Sequence, residues 1–313
     1  ILEHVSGDAM AVSEAARAMM AHMQAKSGSN GNTQLRLQAA GKPDVLAAAR
    51  SLPEKERGGP GEVRMPEFGL GELPVAGLSV LVSLIAADQK VTAISLPKNG
   101  LTEAMAEALI KGASRHGSSI SRLNLERNLL GTEGATKLCT AMLGTGCEKL
   151  TDIDISNNEI GGGAAAAIGS LMRANRLTRL VLTTNPLCGN LTGAARVEEE
   201  EAGGPESTKS ITSALAADSK LKELHLRSVG LDASAGALLG EALGSNKTLE
   251  HLSLWKNSLC GKGTKALLEK MRMNTTLTML DLRTNRLDDD AGSAIGTYLK
   301  TRGSKVSTLL LSD

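Results

Sequence analysis

The chain has 313 residues, with 35 Lys and Arg against 34 Asp and Glu, a net charge of +1, and just one Phe, one Tyr and one Trp. So balanced a charge carries no electrostatic footprint for nucleic acid or an acidic membrane surface, and no apolar run approaches the ~18 residues of a membrane span. Cys139, Cys147, Cys188 and Cys260 lack the paired spacing of a zinc site and read as reduced thiols of an intracellular compartment, the cytoplasm in particular.

In chain order, residues 1–32 read as a helical segment and its linker. Leu2, Val5, Ala9, Val12, Ala16, Met19 and Met23 fall on one stripe at helical spacing. The stripe suits a cap folded over the first repeat or a Met-rich docking helix. Ser27 to Asn32 is the flexible linker. Residues 33–90 read as degenerate repeat units or a cap. Thr33 to Gln38 (TQLRLQ) precedes a helical DVLAAARSL, and Val63, Phe68 and Leu73 fit positions one, six and eleven of a phrase that becomes explicit 28 residues later.

From residue 91 the phrase L-x-x-L-x-L-x-x-N-x-L recurs to the end. It begins at Val91, Ile120, Leu150, Leu177, Leu221, Leu249 and Leu277, in steps of 29, 30, 27, 44, 28 and 28 residues. Apolar residues at positions one, four and six alternate, so they point to one side of a short strand. Position nine is Asn99, Asn128, Asn158, Asn185, Asn257 and Asn285. A buried Asn offers two donors and an acceptor to backbone groups freed where the strand turns outward. Val229 stands there in the Leu221 unit, which predicts a looser or reshaped turn. Each phrase is followed by a helical stretch rich in Gly and Ala. Gly costs a helix about 1 kcal/mol relative to Ala, so its repetition implies close packing, expected here against the strand.

The phrase and its period resemble the ribonuclease-inhibitor-like class of leucine-rich repeat proteins. The resemblance implies an α/β solenoid, a horseshoe with parallel strands on the concave face and helices on the convex face. One unit cannot bury its own apolar face, whereas a stack shares one core.

Two interruptions stand out. The 44-residue step holds an insertion near residues 188–207, CGNLTGAARVEEEEAGGPES, expected to project from one rim. Its Glu198–Glu201 run favours solvent, and Gly203, Gly204 and Pro205 break any helix. At the C-terminus Val306, Leu309 and Leu311 open an eighth phrase and stop. That edge calls for cover by further residues, a partner or another copy. The start at Ile1 reads as a removed leader or as part of something longer.

Positions three, five and seven of each phrase face the concave side. The first half of that surface is small, polar and locally acidic. The second half carries Glu223, His225 and Arg227, then His251, Ser253 and Trp255, then Met279, Asp281 and Arg283, with Lys256 beside the Trp. Adjacent strands sit ~4.8 Å apart, so Arg227, Trp255 and Arg283 should form one row, of the residue types most enriched at binding hot spots. No GxSxG, HExxH or Walker loop is present, no catalytic residue is nominated, and no cofactor is expected. His225 and His251 are neighbours without an evident third metal ligand.

These features support two functions. The first is a non-enzymatic scaffold, or a subunit of a larger assembly, binding one or more proteins through Arg227, Trp255, Arg283, Lys256, His225, His251, Glu223 and Asp281, with neither nucleic acid nor membrane as partner. Binding is also what the repeat-class resemblance implies. The second rests on TGAARVEEE, which is similar to the arginine-bearing rim loop of Ran GTPase-activating proteins. That likeness nominates Arg196, although Glu198–Glu201 crowd it.

Overall fold

A computed structural model describes residues 61–67, 69–73, 75–86, 90–114, 118–144, 146–189, 203–218, 220–300 and 304–312. The expected N-terminal helix, its linker, the Thr33–Gln38 unit, Arg196 and Glu198–Glu201 lie outside the described residues.

Strand and helix alternate: β1 (Glu62–Arg64), α1 (Val75–Ala86), β2 (Ala93–Ser95), α2 (Glu103–Ala113), β3 (Arg122–Asn124), α3 (Gly131–Leu143), β4 (Asp152–Asp154) and α4 (Ala165–Arg173). Next in the chain are β5 (Arg179–Val181), α5 (Pro205–Ala217), β6 (Glu223–His225), α6 (Ala233–Ser245), β7 (His251–Ser253), α7 (Cys260–Lys270), β8 (Met279–Asp281), α8 (Asp289–Leu299) and β9 (Thr308–Leu310). The strands form one parallel sheet in sequence order. A helix needs about 10 Å of width and a strand ~4.8 Å. A stack of such units therefore bends with its strands inside, as the solenoid resemblance implies.

Register is uniform. Leu123 pairs with Ile153, Leu180 with Leu224, and Leu252 with Leu280, all at position four. These residues, with those at positions one, six and eleven, fill a continuous buried core. β9 continues the register, Leu280 pairing with Leu309, and Leu311 beyond it is 42% exposed.

The first unit corrects the sequence reading. Val63 pairs with Ile94, so it holds position four, not one. Positions six and eleven are Met65 and Leu70, both fully buried. Glu67, with φ 59, then matches Lys98, with φ 56, at position eight. Spacing alone could not separate a three-residue lengthening of this unit from a shift of its phrase.

The Asn ladder is built as the phrase implies. The Asn158 amide donates to the carbonyls of Leu125 and Ser156, and Asn185 Oδ1 accepts from the backbone N–H of Asn158 and of Ile160. Each position-six carbonyl can receive two amides, Leu125 O accepting from Asn128 and Asn158 at 2.8 Å each. Val229, fully buried, breaks this double cover, yet Leu182 O still accepts from Asn185 and Leu226 O from Asn257. The turn there is reshaped only in part. Leu187 N–H turns back to Asn185 O, while Cys188 N–H keeps its bond to Val229 O.

One backbone feature carried no sequence signal. Position eight is left-handed in every unit, at Lys98, Arg127, Asn157, Thr184, Ser228, Lys256 and Thr284, with φ between 49 and 57. None of these is Gly, and all but Asn157 are of types that the left-handed region strains. Each N–H donates to the position-seven carbonyl of the next unit, as Ser228 does to Trp255 and Lys256 to Arg283, and these bonds hold the conformation.

The helix glycines serve a different contact from the one expected. A Cβ on Gly236 in α6 would fall 2.0 Å from the Gly263 carbonyl in α7, and one on Gly112 in α2 would fall 2.8 Å from Val82 in α1. They let neighbouring helices meet each other, not the strand. At the insertion, Pro205 does not end a helix but opens α5 at its first turn, where its missing N–H costs nothing.

Candidate binding face of the sheet

Because the strands are parallel and in register, residues of like position stack into columns across the sheet. In the position-three column the charges alternate. Arg122 Nε donates to Asp152 at 2.8 Å, Arg179 Nη1 to Asp152 at 3.0 Å, and Arg179 Nε to Glu223 at 3.2 Å. This ladder lines a hollow of about 440 Å³ together with Asn124 and Asp154. The locally acidic first half of the face is thus largely paired from within.

Glu223 ends the ladder and faces both histidines. Its carboxylate oxygens lie 3.7 Å from His225 Nε2 and 3.7 Å from His251 Nδ1, beyond hydrogen-bond range. His225 Nε2 is buried without a hydrogen-bond partner among the described residues. Burial first, then the Arg179 and Arg227 charges, push the His225 pKa below its ordinary value, against the pull of Glu223. His225 is therefore a neutral imidazole at neutral pH. Among the described residues no group of three or more His, Cys, Asp or Glu is placed to hold a metal ion.

The position-seven column forms the expected row. The guanidinium carbons of Arg227 and Arg283 lie 5.5 and 5.3 Å from the centroid of the Trp255 ring, inside cation–π range. Trp255 is 36% exposed, and its indole N–H donates to Thr284 Oγ1 at 3.0 Å. Lys256, next in the chain, is exposed.

Asp281 differs from its expected place as an open surface residue: its side chain is wholly buried. It accepts from Arg283 Nε and Nη2 at 2.9 Å each, and from Ser253 Oγ at 3.0 Å. Ser253 Oγ in turn accepts from Arg227 Nε at 2.9 Å. Burial pushes the Asp281 pKa up, but the bonds from Arg283 and Ser253 outweigh it and hold the carboxyl below its usual range. Asp281 is thus the anchor that fixes both guanidinium groups against the indole. Sequence placed it at position five but could not tell that Arg283 would fold back over it.

A second buried polar ladder was missed by reading only the phrase. Three residues before two of the phrases, Asn246 donates to the Leu215 and Asp218 carbonyls, and Asn274 to those of Leu243 and Asn246. Asp218 holds the same place one unit earlier. Its Oδ1 accepts from Lys220 and Leu221 N–H at 2.7 Å each, but Oδ2 is buried with no partner among the described residues. The recurring Asn three residues before Leu249 and Leu277 was the available signal.

All four cysteines are free thiols. Burial pushes Cys139 and Cys188 up to about 12, so neither is a thiolate at neutral pH. Among the described residues no helix is long and apolar enough to cross a membrane.

Known proteins resemble this chain in keeping with that geometry. The Leucine Rich repeat family model matches residues 146–169 and 274–296. Ribonuclease inhibitor of Sus scrofa is 27% identical over 254 residues, 76% of this chain and 55% of the inhibitor. Ribonuclease inhibitor of Mus musculus is 26% identical over 70% of this chain and 51% of the inhibitor. NACHT, LRR and PYD domains-containing protein 12 of Mus musculus is 29% identical over 53% of this chain and 14% of that protein. The chain spans about half the length of the two inhibitors it matches.

Proposed function

Because the chain is a leucine-rich repeat protein of the ribonuclease-inhibitor-like class, we propose that it performs no chemistry itself and acts as a protein–protein interaction scaffold, or as a subunit of a larger assembly, binding through the sheet face. The observation that carries this reading is the Arg227–Trp255–Arg283 row, which holds the chain's single Trp at the surface between two anchored guanidinium groups. A preorganised aromatic flanked by arginines loses little side-chain entropy on binding, as hot-spot residues require. Lys256 follows the Trp in the chain, Asp281 holds Arg283 from a buried position, and Glu223, His225 and His251 lie together on the same sheet face.

Affinity capture from native extract tests the reading, with the chain compared against a Trp255→Ala, Arg227→Ala double variant. Loss of a specific partner, with the circular dichroism spectrum unchanged, supports it. An identical set of partners would move the binding surface elsewhere. Ribonuclease is the first purified partner to assay, since the two inhibitors are similar to this chain over at least 70% of its length.

A further inference from the structure

The columns of the sheet face differ in how much of their charge is already spent. In column three, Arg122, Asp152, Arg179 and Glu223 neutralise one another, and a charged partner would have to break those pairs. In column seven Arg227 commits only its Nε, to a neutral hydroxyl. Neither Arg227 nor Lys256 forms an ion pair with a carboxylate among the described residues. Arg283 is tied to Asp281. The surplus charge beside the indole is therefore positive and held by Arg227 and Lys256.

The indole is equally specific about what can meet it. Guanidinium groups from both neighbouring strands stack on it, and Thr284 takes its N–H. A partner's ring or a nucleobase would have to compete with Arg227 and Arg283 for the faces of the indole, and no donor is left at Nε1 for a polar ligand. What remains is the exposed part of an apolar ring, with the Arg227 guanidinium over it and Lys256 next in the chain.

We propose that Arg227, Trp255 and Lys256 bind an acidic peptide segment of a partner protein, its carboxylates on the Arg227 Nη groups and the Lys256 ammonium, and an aliphatic side chain on the indole edge. This rests on the scaffold reading and names the partner's chemistry. Arg227 can meet a carboxylate with two parallel N–H donors, the geometry that makes such pairs selective.

Trp255 is the only Trp, so its emission reports directly on the site. The full chain is titrated with a synthetic peptide of alternating Glu and Leu, with the same peptide carrying Gln for Glu, and with a single-stranded oligonucleotide. The expected result is a saturable emission change with the Glu peptide alone, weakened roughly tenfold or more by raised salt and by an Arg227→Gln, Lys256→Gln double variant. Lys256 is exposed and Arg227 half-buried, and circular dichroism checks that the variant folds. An equal response to the Gln peptide or to the oligonucleotide overturns the proposal. So does an unchanged affinity in the double variant, or silence up to millimolar Glu peptide. If affinity capture loses its partner while the Glu peptide stays silent, the scaffold reading survives and this one falls. If capture is also unchanged, both fall.

Discussion

The Asp281 carboxylate holds Arg283 through two parallel hydrogen bonds of 2.9 Å while remaining wholly buried itself. Through Ser253 it also steadies Arg227. One buried acid therefore positions both arginines that lie over the indole, and its loss should be read there.

Asp281→Asn is expected to lower stability by about 1–2 kcal/mol, since it removes charge-assisted bonds to a partly exposed arginine. Urea denaturation measures this, and a shift in Trp255 emission should accompany it. The pH dependence has a definite sign. The folded Asp281 pKa lies below the ordinary ~3.9, so the unfolded chain binds more protons across that interval. The stabilisation is present above the unfolded pKa and lost as pH falls through the folded one. The difference between wild type and variant should shrink in strong acid, and a constant difference would contradict the assignment.

Asp218→Asn is expected to have the opposite effect. Burial raises the Asp218 pKa, despite the N–H bonds from Leu221 and Lys220. Its contribution is therefore complete below the unfolded pKa and lost as pH rises through the folded one. The Asn side chain at Asn246 and Asn274 donates to preceding carbonyls at every pH. At neutral pH the variant should gain about 1 kcal/mol, the cost of an unsatisfied buried acceptor, and the gain should fade on acidification. Denaturation midpoints at neutral and acid pH decide it.

Gly236→Ala should destabilise by roughly 1–3 kcal/mol, because the added methyl meets the Gly263 carbonyl and cannot be absorbed by a flexible side chain. Gly296→Ala meets nothing within 4 Å in α8. It should stabilise by about 0.5–1 kcal/mol through helix propensity. Thermal melts of the two variants should move in opposite directions.

Acidification from pH 7 should weaken the fold at His225. Its folded pKa lies below the unfolded value of ~6.5, through burial and the Arg179 and Arg227 charges. The unfolded chain therefore takes up the proton first, and stability falls as pH drops through that interval. His225→Gln should flatten the stability profile between pH 7 and the carboxylate range. An unaltered slope would place the effect on another group.

The phrase determined by itself that the chain is a stack of strand–helix units, which asparagines bridge them, and that Arg227, Trp255 and Arg283 share a row. A fixed repeat with in-register parallel pairing converts sequence position directly into a column on a face, so no tertiary knowledge was needed. Tertiary structure decided what a repeat length cannot encode. It set the register of the Val63 unit, where added residues lengthen the step. It turned the glycines toward neighbouring helices, because helix-to-helix distance depends on the stack and not on one unit. It buried Asp281, set Arg227 on a neutral hydroxyl and left Asp218 half satisfied, because which charges pair depends on side chains that reach across units 26 or more residues apart. Local periodicity fixes where a side chain starts, and only the assembled neighbours fix where its charge ends.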